Sequence, residues 1–195
     1  MGYDQASVGG RRYEVEVTVQ SKNVPSVADH AIFGEYASRF NKKMVNGLNR
    51  RVFNREEVID KNGNIILGTD GAITLNPGMY RIMGFSNVTM QDELWPSPLR
   101  HATTYPGYCL VYRKEDEPKS QDDLLPLALG IGSPTAAAYF APSTFDLVAV
   151  IASKTEICAG HQVGASNDEV YLSIYEIDGT KSDYHAVARI GITRL

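Results

Sequence analysis

Residues 72–82 read AITLNPGMYRI, and this stretch decides how the rest of the chain is interpreted. Two short runs suited to β-strands, residues 72–75 and 79–82, flank the tripeptide Asn76-Pro77-Gly78. Proline sets φ for a turn and glycine tolerates positive φ, so the tripeptide ends one strand and allows another to begin. The stretch therefore predicts two β-strands joined by a tight turn.

The same alternation of short strand and turn continues on both sides of this stretch. Asn62-Gly63 suits a type I′ hairpin turn, which would join strands at residues 58–60 and 64–67. No strand–helix–strand alternation is present to build a parallel sheet. The pattern therefore predicts a mainly β fold, an antiparallel sandwich of jelly-roll type. Further strands are predicted at residues 79–89, 108–113, 124–129, 144–152, 169–177 and 185–194.

The N-terminal part of the chain has a different pattern. Residues 11–20 (RRYEVEVTVQ) alternate apolar and polar side chains, which predicts a strand. Residues 27–49 place apolar side chains at helical spacing, which predicts one amphipathic helix that packs on the β domain or on a neighbouring subunit. The apolar stripe of that helix is Phe33, Tyr36, Phe40, Met44 and Leu48. We therefore predict an N-terminal strand and helix segment at residues 1–55 and a jelly-roll β domain at residues 56–195.

Composition excludes several classes of protein. The 195 residues are 43% hydrophobic and 22% charged, which is typical of a globular chain and not of a disordered one. The two cysteines, Cys109 and Cys158, lack the Cys-x-x-Cys spacing of zinc ribbons, and whether they are bonded stays open. No apolar stretch approaches the roughly 20 residues of a membrane span, and the N-terminus shows no signal peptide. The compartment is left open.

Charge is distributed unevenly along the chain. Residues 1–55 carry nine Lys and Arg against five Asp and Glu, while residues 56–195 carry ten against eighteen. A basic cluster surrounds the predicted helix, but its lysines flank an apolar stripe and the isoelectric point of the whole chain is near 5.6. Nucleic acid is therefore disfavoured as a partner. The basic cluster consists of Arg39, Lys42, Lys43, Arg50, Arg51 and Arg55.

Several segments resemble one family of jelly rolls. The stretch 76–82 after the strand 72–75 is similar to the Pro-x-Gly-x-Tyr entry into a central strand of C1q and tumour-necrosis-factor-like proteins. The runs 145–150, 161–164, 171–174 and 186–192 follow the rhythm of the final strands of that family. The resemblance covers residues 64–195. It implies a compact jelly roll that assembles as a trimer and acts by binding and not by catalysis.

The motifs of metal and nucleotide sites are incomplete. The calcium-loop-like run Asp60-Lys61-Asn62-Gly63-Asn64 has Ile65 and Gly71 where an EF-hand needs glycine and a bidentate carboxylate. The sequence therefore predicts neither a metal site nor a cofactor. The four histidines form no His-x-His pair, no Gly-x-Ser-x-Gly elbow occurs, and Gly130-Ile131-Gly132 lacks the third glycine of a dinucleotide fingerprint. We therefore predict no catalytic residue.

The loop before residue 108 is the strongest candidate for ligand binding. It reads WPSPLRHATTYPGY over residues 95–108, so three prolines restrict a segment that also carries aromatic rings, an arginine and a histidine. Such rings beside polar donors suit a sugar or a protein epitope. Alternatively, Trp95 and Tyr105 close one end of the sandwich. The candidate ligand-binding residues are Trp95, Arg100, His101, Tyr105 and Tyr108.

Together these features favour a non-enzymatic binding or structural module. Because apolar residues occur on both alternating faces of the predicted strands, we expect a homo-oligomer, a trimer, that recognises a protein or carbohydrate ligand. The alternative is a hydrolase or isomerase on a β-sandwich scaffold, with its site in the 92–108 loop together with His161 or His185. An enzyme needs titratable groups that converge in a pocket, whereas a module needs contacts between copies.

Overall fold

The structure is a computed structural model that describes residues 29–36, 44–45, 47–90, 106–119, 121–136, 142–163, 170–171 and 186–195. Within these residues there are two short 3-10 turns (Lys114–Asp116 and Gln121–Asp123), a four-residue helix α1 (Leu124–Leu127) and thirteen β-strands. The strands are β1 (His30–Tyr36), β2 (Gly47–Arg50), β3 (Arg55–Val58), β4 (Ile65–Leu67), β5 (Ile73–Leu75), β6 (Gly78–Ser86), β7 (Thr89–Met90), β8 (Pro106–Arg113), β9 (Ala128–Ala136), β10 (Ser143–Ile151), β11 (Thr155–Val163), β12 (Val170–Tyr171) and β13 (Ala186–Arg194). None of the helical segments in the described part of the chain could span a lipid bilayer.

The strands form two main antiparallel sheets. One has five strands in the order β10-β6-β13-β1-β3. The other has the order β4-β5-β11-β8-β9, and β2 also pairs with β11. Successive strands cross from one sheet to the other, from β5 to β6, from β9 to β10 and from β10 to β11. This connectivity is consistent with a jelly roll, and the predicted mainly β class is confirmed.

The hydrophobic core lies between the two sheets. Alternate side chains of the long strands in the two main sheets point inward, so Phe33, Ile82 and Ile190 of one sheet pack with Ile73 and Ile157 of the other. All five are almost completely buried. A fully buried side chain of this size contributes about 1.5–3 kcal/mol. The core therefore supplies the stability that allows a sandwich of short strands to fold.

The predicted helix at residues 27–49 is wrong over much of its length. Residues 30–36 form β1, which pairs with β13 and β3 in the five-stranded sheet. Residues 47–50 form β2, which pairs with β11 in the other sheet. Residues 37–43, with Phe40, and the predicted strand at 11–20 lie outside the described residues. Tertiary pairing therefore decides the conformation of residues 30–36, and each partner strand is distant in sequence.

The turn at Asn62-Gly63 is present, but it does not join a hairpin. Gly63 has φ of +70°, as the dipeptide predicts. However, β3 pairs with β1 in one sheet and β4 pairs with β5 in the other. The Asp60 carboxylate accepts hydrogen bonds from the backbone N–H groups of Asn62, Asn64 and Ile65. The segment is therefore a carboxylate-stabilised crossover between the sheets.

Ser143 stabilises an irregularity at the edge of the sandwich. The register of β8 against β9 shifts at Cys109, so its N–H group finds no carbonyl there. The Ser143 hydroxyl accepts that N–H at 2.8 Å and donates to the carbonyl of Ser133. Ser143 is completely buried, so no water can replace it.

We expect Ser143→Ala to lower the free energy of unfolding by about 1–3 kcal/mol, because the buried N–H of Cys109 loses its acceptor. Urea denaturation measures the change. The control Ser153→Ala, at an exposed turn, should stay within about 0.5 kcal/mol of the unchanged protein. Equal effects of the two substitutions would contradict this role for Ser143.

Candidate interaction surface

The outer face of the five-stranded sheet exposes a group of large apolar side chains. Met79 and Met83 belong to β6, and Val148 and Val150 belong to β10, the neighbouring edge strand. These four side chains are 46%, 41%, 59% and 69% exposed. We call them the apolar patch. Strand alternation explains it, because Tyr80, Ile82, Phe145 and Ala149 of the same strands point into the core.

The register of the two strands places the apolar patch next to an ion pair. Asp146 lies directly opposite Met83, Val148 opposite Arg81, and Val150 opposite Met79. Arg81 and Asp146 are therefore diagonal neighbours. Arg81 donates from Nε to Asp146 Oδ1 at 3.0 Å and from Nη2 to Oδ2 at 2.6 Å. The hydrogen bond from Arg81 holds the pKa of the Asp146 carboxyl below its ordinary value.

The apolar character continues toward the centre of the sheet. Gly191 of β13 lies opposite Met83 on one side and Ile32 on the other. A Cβ built on Gly191 would be 3.7 Å from Met83 Cγ and 3.9 Å from Ile32 Cγ1, so the glycine leaves a shallow depression between these side chains. Val58 of β3 pairs with Ile32 and is also exposed. One apolar row therefore runs across most of the sheet.

The same face ends in a polar cluster. Tyr36 donates its hydroxyl to Glu57 Oε1 at 2.9 Å, and Arg189 Nε lies 2.9 Å from Glu57 Oε2. Arg55 stacks on the Tyr36 ring, with 4.4 Å between the guanidinium carbon and the ring centroid. These side chains thus provide one another with hydrogen-bond and charge partners. They form a polar border to the apolar surface, as in protein interfaces with a polar rim.

The predicted ligand-binding residues are not brought together by the described part of the chain. Trp95, Arg100, His101 and Tyr105 lie outside the described residues. Tyr108 belongs to β8, on the outer face of the other sheet, and packs partly buried against the cluster of Ala72, Leu110, Tyr112 and Cys158. Their role in binding stays a prediction.

The sequence names His161 only in the enzyme alternative and gives no sign of the buried polar cluster to which it belongs, between the sheets. The imidazole Nδ1 of His161 in β11 lies 2.9 Å from the hydroxyl of Ser86 in β6. Both residues are almost completely buried. Burial and the nearby Arg51 guanidinium lower the pKa of His161 to about 3, so the imidazole is neutral at pH 7. The alternation of apolar and polar residues does not reveal that they are buried, because a polar residue in a strand is normally interpreted as exposed.

Arg51 is the charged member of this interior. Its Nε lies 3.2 Å from Glu35 Oε2, and Nη2 donates to the carbonyl oxygen of Val187 at 2.6 Å. Glu35 Oε2 also accepts the backbone N–H of Val52 at 3.1 Å. Desolvation lowers the pKa of Arg51, and Glu35 opposes that effect. The ion pair connects β1 to the segment that follows β2.

The two cysteines are free thiols in the structure. Cys109 lies in the core between the sheets, whereas Cys158 lies in the cluster on the outer face of the six-stranded sheet. Burial raises the pKa of both thiols, that of Cys158 to about 11. Both therefore stay protonated at pH 7. Among the described residues, no group of three or more His, Cys, Asp or Glu could hold a metal ion.

An open surface cavity of about 490 Å³ lies at one end of the sandwich, lined by Lys114, Glu115 and residues 153–156. Lys114 Nζ lies 3.0 Å from Asp70 Oδ2 and 3.1 Å from Glu156 Oε2. The ammonium of Lys114 is therefore already neutralised by two carboxylates. The cavity is wide and polar, and its chemistry favours no particular ligand.

Comparisons with known proteins find similar structures but no similar sequence. No protein-family model matches the chain, and no curated protein matches it. Among solved structures, the crystal structure of murine APRIL at pH 8.0 aligns with 85% of this chain and 99% of its own chain, at 10% sequence identity and a TM-score of 0.49. Murine APRIL is a jelly-roll protein of the tumour-necrosis-factor family. The sandwich described above is established by the strand pairing of this chain itself.

Proposed function

We propose that the chain is a non-enzymatic binding or structural module that works as a homo-oligomer, a trimer, in which a second copy covers the apolar patch. The supporting observation is the exposure of Met79, Met83, Val148 and Val150 on adjacent strands. Apolar side chains grouped in this way on a sheet face are typical of an interaction site. The trimer itself is an expectation of the family resemblance.

Energetics favour burial of this face. Each Å² of apolar surface removed from water contributes about 25 cal/mol, and a stable interface covers roughly 800 Å² on each partner. The apolar patch with the row through Ile32 and Val58 provides the centre of such an area. The polar cluster around Glu57 provides part of a rim.

A second copy of the chain suits this face electrostatically. The whole chain carries a net charge of −4, which opposes self-association in general. Beside the apolar patch lie one arginine and one aspartate that neutralise each other. This part of the face therefore adds no net charge to the repulsion when a second copy covers it.

The ligand of the assembled protein is proposed from the loop sequence alone. Trp95, Arg100, His101, Tyr105 and Tyr108 remain the proposed contacts to a protein or carbohydrate ligand. The alternative of a hydrolase or isomerase has one described feature in its favour, the hydrogen bond between Ser86 and His161. Because both residues are buried, a substrate has no direct access to them. Binding is therefore the function that the described residues support better.

Met83→Glu tests the proposed interface. We expect the unchanged protein to sediment as a trimer of about three 21.4 kDa chains. Met83→Glu should raise the dissociation constant at least about 100-fold, because a carboxylate without a partner would be buried on assembly. Sedimentation velocity at micromolar concentration measures the mass of the unchanged protein and the shift in the dissociation constant.

Ile131→Glu is the matched control, because Ile131 is exposed to the same extent, 42%, but belongs to β9 in the other sheet. This substitution should leave the mass unchanged. A monomeric unchanged protein would refute self-association. Dissociation by Ile131→Glu and not by Met83→Glu would place the interface on the other sheet.

A further inference from the structure

The ion pair of Arg81 and Asp146 lies directly beside the side chains of the apolar patch, with Asp146 on the edge strand β10. Met83 and Val148 occupy the other diagonal of the same four positions, and Met79 and Val150 form the next pair along the strands. Arg81 and Asp146 are about half exposed, at 50% and 52%. A bidentate charge pair therefore lies beside four exposed apolar side chains of the face.

Folding of the isolated chain gives little reason for this pair. Exposed ion pairs contribute little to folding stability, because water already solvates both groups. The outer positions of β6 and β10 would accommodate apolar residues equally well, as Met83 and Val148 show. A role in the monomer therefore does not explain why charges stand next to the apolar patch.

We propose that the Arg81–Asp146 pair selects the register in which copies of the chain associate, which rests on the proposed function. When a second copy covers the apolar patch, the guanidinium and the carboxylate lose water. The bidentate contact uses Nε and one hydrogen of Nη2, so the remaining N–H groups of Arg81 still need acceptors. Only an arrangement that presents polar groups at this point satisfies them.

Other arrangements place apolar atoms over the pair and leave its remaining groups without partners. This penalty is a device for specificity, because it acts against the wrong complexes more than it strengthens the right one. A patch made only of apolar side chains would accept many registers of similar free energy. The ion pair thus restricts an apolar surface to one arrangement of the two copies, and it adds no net charge.

The experiment compares three proteins by sedimentation velocity and native mass spectrometry. The test variant is Arg81→Leu/Asp146→Leu, and the unchanged protein is the reference. The matched control is Arg113→Leu/Asp116→Leu, which removes an ion pair of similar exposure, 37% and 38%, and adds the same two leucines elsewhere. Urea denaturation of all three checks that folding is intact.

We expect the unchanged protein and the control to show one and the same oligomer. The test variant should show at least two species, including masses above that oligomer, at an unchanged urea midpoint. If the test variant keeps the single mass of the unchanged protein, the register role is refuted while self-association stands. The same conclusion follows if the control forms as many oligomeric species as the test variant. If the unchanged protein is a monomer, both the proposed function and this inference fail.

Discussion

Arg51→Met is expected to lower the free energy of unfolding by about 3–5 kcal/mol, the cost of breaking a buried ion pair from one side. The Arg51 side chain is 1% exposed, and its partner Glu35 is also buried. Without the guanidinium, the Glu35 carboxylate keeps only its hydrogen bond from the Val52 N–H. The carbonyl oxygen of Val187 also loses the hydrogen bond from Arg51 and keeps only the one from the backbone N–H of Asn87.

Arg50→Met provides a control at the adjacent position. Arg50 Nη2 pairs with Asp70 at 3.1 Å, and both side chains reach solvent. Exposed pairs of this kind contribute about 0–1 kcal/mol. Urea denaturation should therefore separate the two neighbouring substitutions by at least about 2 kcal/mol.

The double variant Glu35→Leu/Arg51→Met should recover part of the loss, because it removes both charges from the interior. Recovery would show that the loss in Arg51→Met comes from the carboxylate left without its partner. A change of less than about 1 kcal/mol in Arg51→Met would contradict a buried ion pair at this place.

Acid is expected to destabilise the fold through His161, beginning at a pH well above the range in which carboxylates titrate. In the folded protein the pKa of His161 is lowered to about 3, because the imidazole is buried beside the Arg51 guanidinium. In the unfolded chain it returns to the model-peptide value of about 6.5. Between these values the unfolded state binds one proton more than the folded state.

The sign of the effect follows from this difference in bound protons. As the pH falls below about 6.5, protonation favours the unfolded chain by up to roughly 1.4 kcal/mol per pH unit. The loss would reach about 4 kcal/mol near pH 3. Asp29 and Asp146 also have lowered pKa values, but their stabilisation is lost only below about pH 4 to 5. Among the described residues with a lowered pKa, His161 is therefore the one that loses stabilisation between pH 6.5 and 5.

His161→Gln tests this assignment. An amide can keep a hydrogen bond to the Ser86 hydroxyl but does not titrate. We expect the free energy of unfolding of the unchanged protein to fall with acidification from pH 7 to 5, and that of His161→Gln to stay nearly level. Parallel pH profiles for the two proteins would refute the role of His161.

Much of the β-structure could be predicted from local sequence, because turn residues and apolar runs are local signals. The strands predicted at residues 108–113, 144–152 and 185–194 correspond to β8, β10 and β13 within two residues at each end. The apolar patch also lies within predicted strands. However, β10 carries apolar side chains on both faces, so the sequence did not indicate which of them are exposed.

Other elements carry no local signal. β9 contains Gly130, Gly132 and Pro134, which normally argue against a strand. The glycines are required by neighbours, because a Cβ on Gly130 would approach Leu147 and one on Gly132 would approach Cys109 Sγ. Residues 124–127, predicted as strand, form α1 instead. β11 is not among the predicted strands, and its polar residues His161 and Gln162 are both buried.

The class of the fold follows from local sequence, since short apolar runs between turn residues allow few arrangements other than an antiparallel sandwich. The strand at residues 30–36, in contrast, depends on contacts between segments far apart in the chain. In β1 the inward positions are Ala31, Phe33 and Glu35, and a carboxylate at an inward position hides the alternation typical of a strand. Glu35 is acceptable there only because Arg51, sixteen residues later, is placed beside it. Such a pairing exists only after the sheets have packed, so no local pattern could reveal it.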